Sequence, residues 1–101
     1  MMMYDEAAAK AHAAALSLWD AALGTFCFDD REIEEDDEVF VFAVGPREDI
    51  VEGDPDFVRD GASVPLVYKE TGQLDWLPQS VIYATHLDLR IRTNPSPVFF
   101  E

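Results

Sequence analysis

The residues in this chain best suited to chemistry are carboxylates. Asp29, Asp30, Glu32, Glu34, Glu35, Asp36, Asp37 and Glu38 crowd into ten positions, interrupted only by Arg31 and Ile33. Paired carboxylates perform general acid–base catalysis when their surroundings push their pKa values apart. Here nearly every neighbour in sequence is another carboxylate, so no acid or base is singled out, and a solvated, self-repelling face is the favoured reading. As a calcium loop the run lacks the sixth-position glycine and the ligand spacing of an EF-hand. His12, His86 and Cys27 are the only imidazoles and the only thiol. No H-x-x-x-H or C-x-x-C spacing joins them, so no metal site is expected. Cys27 lies between Phe26 and Phe28, the setting of a small buried hydrophobe rather than an activated nucleophile. Ser17, Ser63, Ser80 and Ser96 have no nucleophile-elbow context, and the glycines never form G-x-G-x-x-G. Neither catalysis nor a cofactor is expected.

Collectively, the carboxylates set a field. From Asp29 to Asp54, twelve Asp and Glu residues face two arginines, Arg31 and Arg47, so this stretch supplies −10 of the formal −14. Such a field opposes compactness, and it repels nucleic acid and anionic membranes, whose recognition needs clustered Lys and Arg. The expected partner is a basic protein. Trp76 and Tyr83 flank Pro78 and, where exposed, would supply aromatic anchors for an interface. The pattern favours burial for Trp76 and leaves Tyr83 open. The partner-binding candidates are thus the eight acids of the run with Trp76 and Tyr83.

One domain must position these groups, since 101 residues support a single core, and 49% hydrophobic residues are enough to build it. A lone cysteine excludes an intramolecular disulfide and fits a reducing cytosol. The first residues lack a basic signal region, and no apolar run reaches about 18 residues. A cytoplasmic protein is the expectation.

Residues Tyr4 to Leu23, with nine alanines, predict a helix capped by Gly24. His12, Leu16, Trp19 and Leu23 would form its buried stripe, widened by Ala8, Ala15, Leu18 and Ala22, with Trp19 in the core. Phe26 to Ile33 predicts a first strand, and Val39 to Val44 a central one, because its apolar run is continuous. Arg47 to Ser63 reads as a loop with a turn of helix near Asp56. Val64–Lys69 and Leu74–Leu77 flank the Glu70–Gln73 turn as a hairpin. Val81 to Tyr83 could open a short helix, and Leu87 to Arg92 alternates like a strand. Residues 1–94 form the expected domain, and 95–101 a tail whose Val98-Phe99-Phe100 docks on the body.

The order of elements carries a resemblance. Tyr4-x-x-Ala7-x-x-x-Ala11 precedes Val39-Phe40-Val41-Phe42, a loop with Glu52-Gly53-Asp54, the segment Gly61-Ala62-Ser63-Val64-Pro65-Leu66-Val67 and a Lys69-Glu70-Thr71-Gly72 turn. This resembles the bacterial immunity protein 35 family, also called YrhB-like, over roughly Tyr4 to Leu77. Where that family usually reads Gly-x-x-Pro, this chain is one residue longer, and Leu77-Pro78-Gln79-Ser80 replaces its Gly-rich segment. The resemblance implies a non-enzymatic protein that neutralises a toxin by binding it, with no catalytic residues. The fold expected is α+β, with the N-terminal helix packed on a meandering antiparallel sheet of about four to five strands. The function expected is sequestration of a basic toxin domain by the acidic segment. The alternative is a small housekeeping or chaperone-like protein that binds through an apolar groove.

Overall fold

Alanine decides how the helix packs. In the computed structural model, which describes residues Met1–Glu101, α1 runs from Tyr4 to Leu18 and buries Ala7, Ala8, Ala11 and Ala15. Ala7, Ala11 and Ala15 recur every fourth residue, so their methyl groups line one face and let the helix sit close to a sheet.

Two expectations are corrected here. The helix ends at Leu18 rather than Leu23, because Trp19 is already extended and Ala21–Leu23 form a separate 3-10 turn. Asp20 is the cause: its carboxylate accepts the Ala22 N–H at 2.9 Å and starts that turn, a bond that competes with helix continuation. The predicted stripe of large residues is also not the buried one. Leu16 and Leu18 are 54% and 69% exposed, and Trp19 is only half-buried. Bulky side chains at those positions would hold the helix off the sheet, whereas alanines admit the aromatic side chains beneath.

The sheet has five antiparallel strands in the order β4-β3-β2-β1-β5: β1 Phe26–Glu35, β2 Val39–Pro46, β3 Ser63–Tyr68, β4 Leu74–Pro78 and β5 Arg90–Thr93. The α+β architecture is therefore as expected, with the continuous apolar run in the middle strand. Short helices α2 (Arg47–Ile50) and α3 (Gln79–Thr85) interrupt the meander. The strand expected over Leu87–Arg92 is shorter and later, because α3 continues to Thr85. The chain then turns before β5 can pair with β1, at the opposite edge from β4.

Both faces of the sheet are covered. On the α1 side Phe28, Ile33, Phe40, Phe42 and Val67 pack against the alanines. On the other side Val39, Val41, Val64 and Leu66 lie under Ile82 of α3. Phe28 and Ile33 are an odd number of positions apart, which in a regular strand would put them on opposite faces, yet both face α1. A register shift in the β1–β2 ladder makes this possible: Asp29 pairs with Ala43 but Glu34 with Val41, so β1 gains an odd number of extra residues there, which reverses the side chains that point inward. As a result Phe28 and Asp30 at the start of the shifted segment, and Ile33 and Glu35 at its end, all reach the helix face.

Candidate functional site: a carboxylate-lined cleft

The pairing of β2 with β3 sets Val39 opposite Tyr68, so the β1–β2 turn and the β3–β4 turn lie side by side at one end of the sheet. The Lys69 N–H donates to the Glu38 carbonyl at 2.8 Å and ties the turns together. Between them is an open cleft of ≈ 590 Å³ lined by Asp37, Glu38, Glu70 and Asp75, with Tyr68, Thr71, Gln73 and Met1. None of its lining residues is a Lys or Arg. Lys69, the nearest candidate in sequence, instead donates to Glu35 Oε2 at 2.8 Å, with its ammonium 4.6 Å from the centre of the Phe40 ring. The Tyr68 phenol is pushed up by burial, then by the charge and hydrogen bond of Asp75 and by Glu38. Four carboxylates on a concave wall focus a negative potential in the cleft.

No protein-family model, curated protein or solved structure matches this chain.

The eight acids of the run have separate fates, which corrects the expectation of a uniform solvated face. Asp29 holds Arg31 through two 2.9 Å bonds, and that interaction keeps its carboxyl below the usual range. Asp30 is 1% exposed and accepts main-chain N–H groups from Val98, Phe99 and Phe100. Glu34 accepts the Tyr83 hydroxyl at 2.6 Å, and that bond pushes the phenol up to about 12. Burial raises the Glu35 carboxyl, but Lys69 at 2.8 Å and Arg92 at 3.5 Å outweigh it and hold the group below its ordinary value. Asp36 is buried with His86, whose Nδ1 lies 3.0 Å from Asp36 Oδ2. Only Glu32, Asp37 and Glu38 are exposed. Asp37 and Glu38 reach the cleft, and Arg90, which does not line it, forms a loose and solvated pair with Asp37 at 3.8 Å.

The cations that break up the run arrive from distant sequence. The β1–β5 ladder sets Glu35 opposite Arg90 and Ile33 opposite Arg92. Among the aromatic candidates, Tyr83 is 45% exposed and tied to Glu34. Trp76 is half-buried against the helix-side core. Neither lines the cleft. Sequence reasoning missed Glu70 and Asp75. The available signal was the pairing of the two hairpins, which brings the Glu70 turn beside the acidic one.

Unpaired acids still dominate the surface, so moderate NaCl should raise the melting temperature by screening repulsion. A fall on going from low to moderate salt would mean that the Lys69–Glu35–Arg92 pairs outweigh it.

Proposed function

We propose that this chain is a non-enzymatic binding domain that captures a basic protein partner in its carboxylate-lined cleft. The observation carrying this reading is the cleft itself: Asp37, Glu38, Glu70 and Asp75 converge with no Lys or Arg among them, in a protein of formal charge −14. The resemblance to the immunity protein 35 family narrows the reading to a cytoplasmic immunity protein that sequesters a basic toxin domain. Long-range attraction speeds encounter, and close packing then sets the rate of release.

The test is to isolate the partner from the native host and follow association by stopped flow at two salt concentrations. Replacing Asp37, Glu38, Glu70 and Asp75 by Asn or Gln should slow association about tenfold or more at low salt, with the difference shrinking as salt rises. Equal rates for both proteins at low salt would remove the cleft from the mechanism.

A second reading rests on a different place. A groove of ≈ 360 Å³ at the end of α1 is lined by Leu18, Trp19, Leu23, Val44 and Trp76, together with Arg59. A chaperone-like binder using that groove would lose affinity on Leu18→Asp and ignore both salt and neutralisation of the cleft.

A further inference from the structure

We propose that the open groove at the end of α1 is a binding site for a small monocarboxylate with an aromatic body. Leu18, Trp19, Leu23 and Trp76 supply its apolar walls, and Arg59 and Ser63 its polar groups. The site lies at the opposite end of β2 and β3 from the carboxylate cleft, shares no residue with it and does not depend on what that cleft binds.

The strands open this groove for a physical reason. The β2–β3 ladder stops at the pair Val41 and Leu66, and the preceding residue of β3, Pro65, has no N–H to extend it. β2 nevertheless runs on to Pro46, paired with β1. A gap therefore widens between Val44 of β2 and Ser63 of β3, and α1, which ends at Leu18, does not roof it. Trp19 and Trp76 are half-buried there, and Leu18 is 69% exposed. An aromatic guest would take these apolar surfaces out of water. The volume of ≈ 360 Å³ falls within the range of roughly 300–1,000 Å³ usual for small-molecule sites.

Charge and hydrogen bonding select the head group. Arg31, Lys69, Arg90 and Arg92 pair with carboxylates, Lys10 donates to the Gly72 carbonyl, and Arg47 lies against the Phe100 ring. Arg59 alone among the Lys and Arg side chains has no such partner, and Asp49, which borders the adjoining hollow with it, forms no ion pair with it. The Ser63 hydroxyl and the Trp76 indole N–H likewise donate to no group of the chain and remain open to solvent. The Trp19 indole, by contrast, is committed to the Gly24 carbonyl. None of the lining residues is an Asp or Glu, although these make up 21 of the 101 residues. Free donors without a carboxylate, set in an apolar wall, suit an anion: Arg59 offers a charge-assisted pair, and Ser63 and Trp76 each offer one further donor. An ammonium guest would meet Arg59 and find no acid.

The probe is indole-3-propionate, titrated into the isotope-labelled full chain and followed by NMR at the indole N–H resonances of Trp19 and Trp76, the only tryptophans. A ligand of this size should bind with a Kd of about 1 mM or below. Arg59→Gln should weaken binding about tenfold, the loss of one charge-assisted interaction. That variant keeps the fold, because Arg59 is exposed and holds nothing in place. The neutral indole-3-propionamide should bind the wild type about as weakly as the acid binds Arg59→Gln, and should not distinguish the two proteins. Replacing Asp37, Glu38, Glu70 and Asp75 by Asn or Gln should leave probe binding at least as tight as in the wild type, so the two sites are scored separately. Absence of shifts at both indoles under several-fold higher probe would overturn the proposal. Equal affinities for acid and amide would overturn it too, since the groove would then be apolar but blind to charge. Indole shifts that grow with protein concentration alone would overturn it in favour of a second copy as the occupant.

Discussion

Asp36→Ala should destabilise this protein by roughly 3–5 kcal/mol, the loss expected when a buried carboxylate that satisfies several hydrogen-bonding groups is removed. Asp36 is 7% exposed, and its side chain has two jobs. Oδ1 accepts the N–H groups of Glu38 and Val39, each at 2.8 Å, and so closes the β1–β2 turn. Oδ2 faces Nδ1 of the buried His86 at 3.0 Å and ties that turn to the end of α3. Alanine would leave two turn N–H groups and a buried imidazole without their partner. Asp36→Asn keeps an acceptor for the turn and should lose distinctly less. Urea denaturation of the two variants beside wild type is the measurement, and an Asp36→Ala loss below about 1 kcal/mol would show the clasp to be dispensable.

The same carboxylate predicts a pH dependence. Burial raises the Asp36 carboxyl, but the Glu38 and Val39 N–H groups and His86 together bring it below its ordinary value of 3.8. A group depressed on folding adds stability above its unfolded pKa and loses it as pH falls through the folded one. The contribution is therefore fully present above about pH 5 and disappears progressively on acidification. Asp36→Asn should lose less stability than wild type over that acid range. Parallel pH profiles for the two proteins would rule out Asp36 as a source of acid sensitivity.

Phe42→Ala should also cost roughly 3–5 kcal/mol, whereas Trp19→Ala should cost distinctly less, although tryptophan is the larger residue. Phe42 is 1% exposed and touches Tyr4, Phe28 and Phe40 with ring centroids 6.1, 5.5 and 6.4 Å away. Trp19 lies beyond the helix end, half-buried, edge-on to Phe26 at 5.5 Å, with Nε1 donating to the Gly24 carbonyl at 3.1 Å. Removing Phe42 opens a cavity in the middle of the sheet. Removing Trp19 vacates a place that water can enter. Equal or reversed losses in matched urea titrations would return the core to the large-residue face of α1.

Several parts of this protein are written locally, and those were legible. Val39 to Val44 is a continuous run of apolar residues, mostly β-branched or aromatic, and it became the middle strand. The apolar segments on either side of Glu70–Gln73 became β3 and β4. The alanines of the first helix carry their propensity within a few residues. The docking of Val98–Phe100 was expected from its apolar composition, although nothing in that composition pointed to Asp30 as the acceptor.

The identity of the buried helix face was not local. Periodicity alone allows either the alanine line or the Leu16–Trp19 line, and the choice depends on how closely the helix must approach the aromatic side chains of β1 and β2. The acidic run shows the same division more sharply. Its summed charge is a property of composition and was plain from the sequence, as was the field it creates. Which carboxylate is buried, paired or free depends on the bulge in β1, the arrival of β5 with Arg90 and Arg92, and the placing of His86 behind α3. These partners lie about 50 or more residues from the acids they meet, so sequence spacing carries no record of them. Net charge adds over residues regardless of position, whereas an ion pair depends on distance, and only the folded chain sets distances.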